Sequence, residues 1–150
     1  MTIYFYKRTE EYGYMSNFAH YEFELDGERW PTSEHYFQVA KFADEEYRNK
    51  IQQEKNPMKA AELGRSRAYP IRKDWEEVKD EIMKQALLAK FQQNSEIRQQ
   101  LLDTGKEELV EKTSTDYYWG CGTDGTGKNT LGKLLMEIRS ILAEEKRLGM

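Results

Sequence analysis

Three polar side chains in the stretch from Trp30 to Phe42 have the types and the spacing for acid–base or nucleophilic chemistry. Gln38 follows Glu34 by four residues, and Lys41 follows it by seven. Helical periodicity predicts that they project from one face over about two turns, roughly 10 Å of helix axis. A carboxyl group there could supply and recover a proton, and an amine whose pKa is lowered by burial could act as a nucleophile.

The rest of this stretch is mostly apolar, which is typical of a helix packed inside a protein. Its polar face must then meet a partner or a cavity, because a buried and unpaired charge is costly. The alternative is that Glu34 and Lys41 form an ordinary salt-bridged or solvated pair. Thr32 or Ser33, after Pro31, could cap the helix and fix the direction of Glu34.

Short strands are expected before this helix. Residues from Ile3 to Tyr6 are β-prone, those from Tyr21 to Leu25 alternate, and Asp26-Gly27 is a hairpin signal. Two or three short antiparallel strands are therefore predicted there, and residues from Leu109 to Lys112 could form a last strand.

Apolar spacing and capping signals predict five further helices. They run from the N-cap Asp44 to about Lys55, from Asn56-Pro57 to Gly64, from Asp74 to about Gln93, from Ser95 to Thr104, and from about Thr130 to Arg147. The expected fold is α+β, a mostly helical single domain over residues 1–150 with a small antiparallel sheet.

Composition narrows the class of protein. Its 150 residues suit one domain with one core, 33% of them are charged, and the mean hydropathy is -0.94. No apolar run approaches the roughly 18 residues of a membrane span, and the N-terminus lacks a signal-peptide pattern. We therefore expect a soluble cytoplasmic protein without membrane contact.

No cofactor or metal is expected. The single cysteine, Cys121, excludes an internal disulfide and a cysteine-rich metal site, and neither His20 nor His35 has a spacing from carboxylates that suggests zinc. A net charge of -4 argues against a broad electrostatic grip on nucleic acid, although a local basic pocket remains open. Aromatic residues at 13% favour a pocket for a flat ligand.

Two segments are candidates for binding an anion. Arg65, Arg67 and Arg72 lie close together in a connector, where the alternative is solvation or pairing with glutamates. The glycine-rich run from Gly122 to Asn129 resembles a phosphate loop, but Asn129 replaces the hydroxyl residue that would hold magnesium. Only about 20 residues follow, and they are predicted to be helical, so a nucleotide triphosphatase is disfavoured; a weaker anion site or a plain connector remains.

Six segments, in order along nearly the whole chain, form a recognisable set. They are Ser16-Asn17-Phe18, Ser33-Glu34-His35 through Lys41-Phe42, Ala60 to Arg65 ahead of Trp75, Ala86 to Asn94, Trp119-Gly120, and Gly127 to Arg139. Together they resemble the YbiA-like or NADAR family of N-glycosidases. The resemblance implies a hydrolase that cleaves the bond between a sugar C1 and an exocyclic nitrogen.

The resemblance implies two substrate classes. Bacterial members resemble enzymes that cleave phosphoribosylamino-pyrimidine intermediates of riboflavin synthesis and release ribose 5-phosphate. Other members resemble enzymes that remove ADP-ribose from ADP-ribosylated guanine, so a modified nucleic acid is a second type of partner. A rival interpretation is a non-catalytic module that binds ADP-ribose or a nucleotide, and a third is a helical interaction protein.

Carried over by resemblance, the active-site glutamate falls on Glu34, a pocket lysine on Lys41, and a frequently acidic position on Asp116. Lys41 could hold the phosphate, or attack C1 and carry the sugar as a Schiff base. Aromatic surroundings would raise the pKa of Glu34 and suit it to proton transfer. The expected substrate-binding residues are Arg8, Asn17, Phe18, Gln38, Trp75, Trp119, Gly120 and Asn129.

Overall fold

The computed structural model describes residues 1–150, which form six α-helices, four short strands and one 3-10 turn. The helices are α1 (Ser33–Val39), α2 (Glu45–Gln53), α3 (Pro57–Arg65), α4 (Trp75–Gln93), α5 (Ser95–Asp103) and α6 (Thr130–Arg147); the strands are β1 (Thr2–Phe5), β2 (Phe23–Leu25), β3 (Glu28–Trp30) and β4 (Glu108–Glu111). The predicted α+β fold is confirmed. None of the helices combines the length and the apolar character that crossing a bilayer requires.

The chain forms two compact units, one made of Asn17–Gln93 and the other of Met1–Ser16 with Asn94–Met150. In the first unit, β2 and β3 pair as an antiparallel hairpin. Its turn places Asp26 and Gly27 at φ values of 57° and 77°. Two successive left-handed residues match the strand twist in a two-residue hairpin, so the hairpin signal in the sequence is confirmed.

Helix α1 lies at the centre of this unit. All seven of its residues are buried, and it packs against α2, α3 and α4. On its apolar side, the Tyr36 ring meets Trp30 edge to face, with centroids 5.0 Å apart. A helix buried on every side must satisfy its polar groups within the protein, and this requirement fixes where Glu34 and Gln38 point.

The helix starts follow the predicted caps. Thr32 accepts a hydrogen bond from the backbone N–H of His35 and so begins α1. Asp44 caps α2 in the same way, and Asn56 caps α3 with Pro57 in the first turn. The prediction of a helix reaching Phe42 was too long, because α1 ends at Val39 and Phe42 instead forms an isolated bridge with Ile71.

In the second unit, β1 pairs with β4 in parallel, from Thr2 opposite Glu108 to Phe5 opposite Glu111. Of the two or three antiparallel strands predicted before α1, only β2 and β3 pair in this way, and β1 pairs with β4 instead. A parallel pair needs a long crossover connection, which the intervening residues supply. Helix α6 packs against β4 so closely that a Cβ on Gly132 would lie 2.1 Å from the Leu109 carbonyl oxygen.

Candidate active site

Glu34 is the buried carboxyl group of the first unit. It lies in the first turn of α1, is only 8% exposed, and donates its backbone N–H to the carbonyl oxygen of Asn17 at 3.2 Å. Ser33 reinforces this contact, since its hydroxyl donates to Asn17 Oδ1 at 2.7 Å. The preceding loop and the Thr32 cap therefore fix the direction in which the Glu34 side chain leaves the helix.

One oxygen of this carboxyl group has a close partner. Gln38 Nε2 donates to Glu34 Oε2 at 2.5 Å, as expected for residues four apart in a helix. Burial raises the pKa of Glu34, and the hydrogen bond from Gln38 and the positive charges of Lys41 and Arg65 only partly oppose it. Glu34 therefore keeps its proton to a higher pH than an exposed glutamate does, which is the property a general acid needs.

Lys41 is the second buried ionisable group of the site. It is 7% exposed, and its Nζ has one protein acceptor, the Gly64 carbonyl oxygen at 3.4 Å. Burial lowers the pKa of Lys41 to about 8, while the charge of Glu34 opposes that shift and those of Arg67 and Arg65 add to it. A substantial fraction of this amine is therefore neutral near physiological pH, so it can act as a nucleophile.

Two aromatic rings border the amine of Lys41. Its Nζ lies 5.7 Å from the ring centroids of both Phe37 and Trp75. The two rings contact each other, with centroids 4.9 Å apart and an angle of 59° between their planes. Trp75, at the start of α4, is buried. Its ring makes a cation–π contact with the amine but also excludes water from it, and this loss of hydration has the larger effect on the pKa of Lys41.

The charges of Glu34 and Lys41 affect each other's pKa, but the two groups form no ion pair. Each charge shifts the pKa of the other group, yet no ion pair joins them, and Gln38 rather than Lys41 is the hydrogen-bond partner of Glu34. The predicted placement of Glu34 and Gln38 on one helix face is confirmed, whereas Lys41 lies beyond the end of α1. The alternative of a solvated surface pair is wrong, because both side chains are buried.

Gly64 is a site neighbour that the sequence predicts only as a helix end. A Cβ at this position would lie 1.9 Å from Gln38 Oε1, an oxygen that is buried and has no hydrogen-bond donor. Helix α3 continues to Arg65, so Gly64 is a helical residue. Glycine in a helix is unfavourable relative to alanine, and this was the one signal in the sequence that could have indicated close packing.

Asn17 and Phe18 lie at the beginning of the same unit. The Asn17 side chain is buried, and its Oδ1 is used by Ser33, as described above. Asn17 therefore positions the turn that carries Glu34. Phe18 is half-buried. Contacts of either residue with a substrate stay predictions.

The other predicted site residues belong to the second unit. Arg8 is exposed. Asp116 Oδ1 accepts the backbone N–H groups of Tyr118 and Trp119 at 2.9 and 2.8 Å, so this carboxylate orders the turn that carries Trp119. Gly120 is needed for close approach, because a Cβ there would lie 2.3 Å from Thr113 Oγ1. The catalytic role predicted for Asp116 and the base contact predicted for Trp119 remain untested.

Asn129 has a structural use that the sequence did not indicate. Its Oδ1 accepts the backbone N–H of Glu111 at 2.9 Å, and its Nδ2 donates to the carbonyl oxygen of Leu109 at 2.8 Å. Its backbone is left-handed, with φ at 54°, directly before α6. Both ends of the amide thus hold β4, and the substrate contact predicted for Asn129 stays a prediction.

Known proteins resemble the chain over almost all of its length. N-glycosidase YbiA of Escherichia coli strain K12 is 54% identical over 142 residues, which cover 95% of this chain and 89% of that protein. A riboflavin biosynthesis protein of Vibrio vulnificus is 39% identical over 142 residues, covering 95% of this chain but 39% of that longer protein. The NMR structure of E. coli YbiA matches with a TM-score of 0.90 and 53% identity, over 97% of this chain and 86% of that one.

The family assignment follows from these matches and from the NADAR domain, which matches residues 4–143. The resemblance found in the sequence is confirmed. So is the prediction of a hydrolase acting on N-glycosyl bonds, since close relatives bear the name N-glycosidase. The protein is therefore an N-glycosidase that belongs to the NADAR domain family.

Proposed function

We propose that the protein hydrolyses the bond between C1 of ribose 5-phosphate and the exocyclic nitrogen of a pyrimidine, releasing ribose 5-phosphate and the free aminopyrimidine. The observation that carries this proposal is the buried pair of Glu34 and Lys41, one inclined to keep its proton and the other to lose it. The relative from V. vulnificus, named a riboflavin biosynthesis protein, supports a pyrimidine intermediate as the substrate class.

Glu34 provides the proton that the departing base requires. An exocyclic nitrogen leaves C1 poorly as an anion, so bond breaking needs proton transfer to that nitrogen or, by way of ring opening, to the sugar ring oxygen. The raised pKa of Glu34 lets it hold this proton to a higher pH than an exposed glutamate does. Water then supplies the hydroxyl group on C1, and its remaining proton returns to Glu34, which restores the enzyme.

Lys41 acts at C1 of the sugar. Its neutral amine attacks the ring-opened imine carbon and the aminopyrimidine leaves, which gives a Schiff base between Nζ and C1. Hydrolysis of that Schiff base by water releases ribose 5-phosphate and regenerates the amine. The contact with Phe37 and Trp75 holds Nζ in place and limits its hydration, which favours the neutral form that attack requires.

Product analysis tests the proposal. The protein is incubated with a phosphoribosylamino-pyrimidine and, separately, with an oligonucleotide carrying ADP-ribosylated guanine. Release of ribose 5-phosphate and free base from the first substrate alone is the expected result. Release of ADP-ribose from the second substrate alone would replace the proposed substrate class, whereas binding of either without product would favour the non-catalytic module.

A further inference from the structure

Two arginines, Arg65 at the end of α3 and Arg67 two residues later, contribute positive charge near the amine of Lys41. Arg67 donates to the Gly64 carbonyl oxygen at 3.0 Å, and Lys41 Nζ contacts that same oxygen at 3.4 Å. The two cationic nitrogens therefore lie within two hydrogen-bond lengths of each other. Arg65 is close enough that its charge influences the pKa of both Lys41 and Glu34. The positive nitrogens of Lys41 and Arg67 thus lie at one corner of the site, and the charge of Arg65 adds to the field there.

No carboxylate neutralises these arginines. Arg65 and Arg67 are exposed, and neither takes part in an ion pair; Arg67 donates only to the backbone oxygens of Gly64 and Ser66. Arg72 differs, because it binds both oxygens of Asp74 at 2.6 and 3.0 Å. The structure therefore separates the three arginines of this connector into one paired residue and two that are available to an anion.

Convergence of like charges raises the free energy of the empty site, and an anion would relieve it. Glu34 is a poor counter-charge for these cations, because burial favours its neutral form. The guanidinium of Arg67 is held by two backbone carbonyls, which leaves its other N–H groups for a ligand in a fixed orientation. Arginine suits phosphate in particular, since its planar fork donates two parallel hydrogen bonds to phosphate oxygens.

We propose that Arg65 and Arg67 form the subsite for the terminal phosphate of the substrate's sugar, which leaves Lys41 to act at C1. This inference rests on the proposed function. It assigns phosphate binding to the two arginines and the reaction at C1 to Lys41. The competing view, that both arginines are simply solvated, does not account for their position beside a buried amine.

The kinetic test compares a phosphoribosylamino-pyrimidine with its dephosphorylated riboside. The parent protein should prefer the phosphorylated substrate in kcat/KM. Arg65→Gln and Arg67→Gln should each lower kcat/KM for that substrate by roughly 10- to 100-fold, as expected for loss of a charge-assisted hydrogen bond, and change the riboside value by less than about 3-fold. Arg29→Gln, which alters an exposed arginine of β3 paired with Glu22, should change neither. Equal losses on both substrates would overturn the subsite.

A binding test distinguishes failure of this inference from failure of the proposed function. Ribose 5-phosphate is titrated calorimetrically into the parent, into the Arg65→Gln/Arg67→Gln variant and into Arg67→Lys. Binding should be lost in the double variant and weakened in Arg67→Lys, which keeps the charge but not the fork. Such binding without turnover of any N-glycoside would remove the proposed substrate and keep the phosphate subsite. Turnover of the phosphoribosylamino-pyrimidine and of its riboside at equal rates would keep the proposed function and remove the phosphate subsite.

Discussion

Gln38 and Glu34 share a hydrogen bond of 2.5 Å within the buried helix α1. The bond favours the ionised carboxylate and therefore opposes the effect of burial, which raises the pKa of Glu34. It also holds one carboxyl oxygen in place, while the other oxygen forms no hydrogen bond. The residue proposed as the proton donor is thus oriented by its neighbour one helical turn away.

Gln38→Met should move the pH–rate profile. Without the amide donor, the pKa of Glu34 rises further, so the decline of kcat/KM as Glu34 loses its proton should shift to higher pH. The maximal kcat should fall roughly 10-fold because the carboxyl group is no longer oriented. Steady-state kinetics at closely spaced pH values measure both effects. Gln99→Met breaks an exposed amide–carboxylate pair with Asp103 at the same spacing and should leave the profile unchanged.

Glu34→Gln should abolish most of the activity and leave the fold intact. Loss of a general acid lowers kcat by roughly 100- to 10,000-fold, whereas the exposed Glu62→Gln should retain the parent rate. Because the folded-state pKa of Glu34 is raised, its contribution to stability is full below the unfolded pKa of 4.5 and is lost as pH rises through the folded value. Urea unfolding should therefore show the variant matching the parent at acidic pH and exceeding it at alkaline pH. A variant that is less stable at alkaline pH would contradict this pKa assignment.

Lys41→Met should remove a covalent intermediate and stabilise the protein. Borohydride added during turnover should trap a sugar adduct on Lys41 in the parent and in the control variant Lys59→Met. No adduct should form in Lys41→Met. Absence of any adduct in the active parent would limit Lys41 to an electrostatic role. The free energy of unfolding of the variant should be about 1 kcal/mol higher at pH 7, because the partly screened cost of burying the charged amine is gone. Burial lowers the pKa from 10.5 to about 8, so the unfolded chain binds the extra proton between these values. The stability advantage should therefore fade as pH rises from about 8 to 10.5.

Local signals were sufficient for much of the fold. Asp26-Gly27 predicted its hairpin, and Asp44 and Asn56 predicted two helix starts, because turns and caps depend on residues adjacent in sequence. The partner of β1 could not be predicted in this way. Its pairing with β4 joins residues more than 100 positions apart, and no local rule selects parallel over antiparallel pairing for a strand of four residues.

The contacts of the site likewise divide into local ones, which the sequence predicts, and contacts between distant segments, which it does not. Helical spacing predicted the contact between Glu34 and Gln38, whereas Lys41 lies two residues beyond the end of α1 and acts on Glu34 through its charge. The sequence could not show that Gly64 packs against Gln38, or that the side-chain amide of Asn129 forms hydrogen bonds to β4 through both its oxygen and its nitrogen. Both facts arise from packing between distant segments, which single-residue propensities do not encode.

Gly64→Ala should damage the site although it favours the helix. Alanine would by itself stabilise a helical position by about 1 kcal/mol. Here the new Cβ would lie 1.9 Å from Gln38 Oε1 and 2.5 Å from its Cδ, so the amide must rotate away and release Glu34. We expect a net loss of about 1 to 3 kcal/mol in the free energy of unfolding and a fall in kcat of roughly 10-fold or more.

A double-mutant cycle identifies the cause of that damage. Gln38→Ala removes the atoms that the new methyl group would strike most closely and leaves a Cβ contact of 3.0 Å. Gln38→Ala/Gly64→Ala should therefore be more stable than the two single changes predict when added, with a coupling of about 1 kcal/mol or more. Its activity should stay as low as that of Gln38→Ala, because Glu34 still lacks its partner. Simple additivity of the unfolding free energies would mean that Gly64 affects the helix alone and that its closeness to Gln38 has no role in orienting the proton donor.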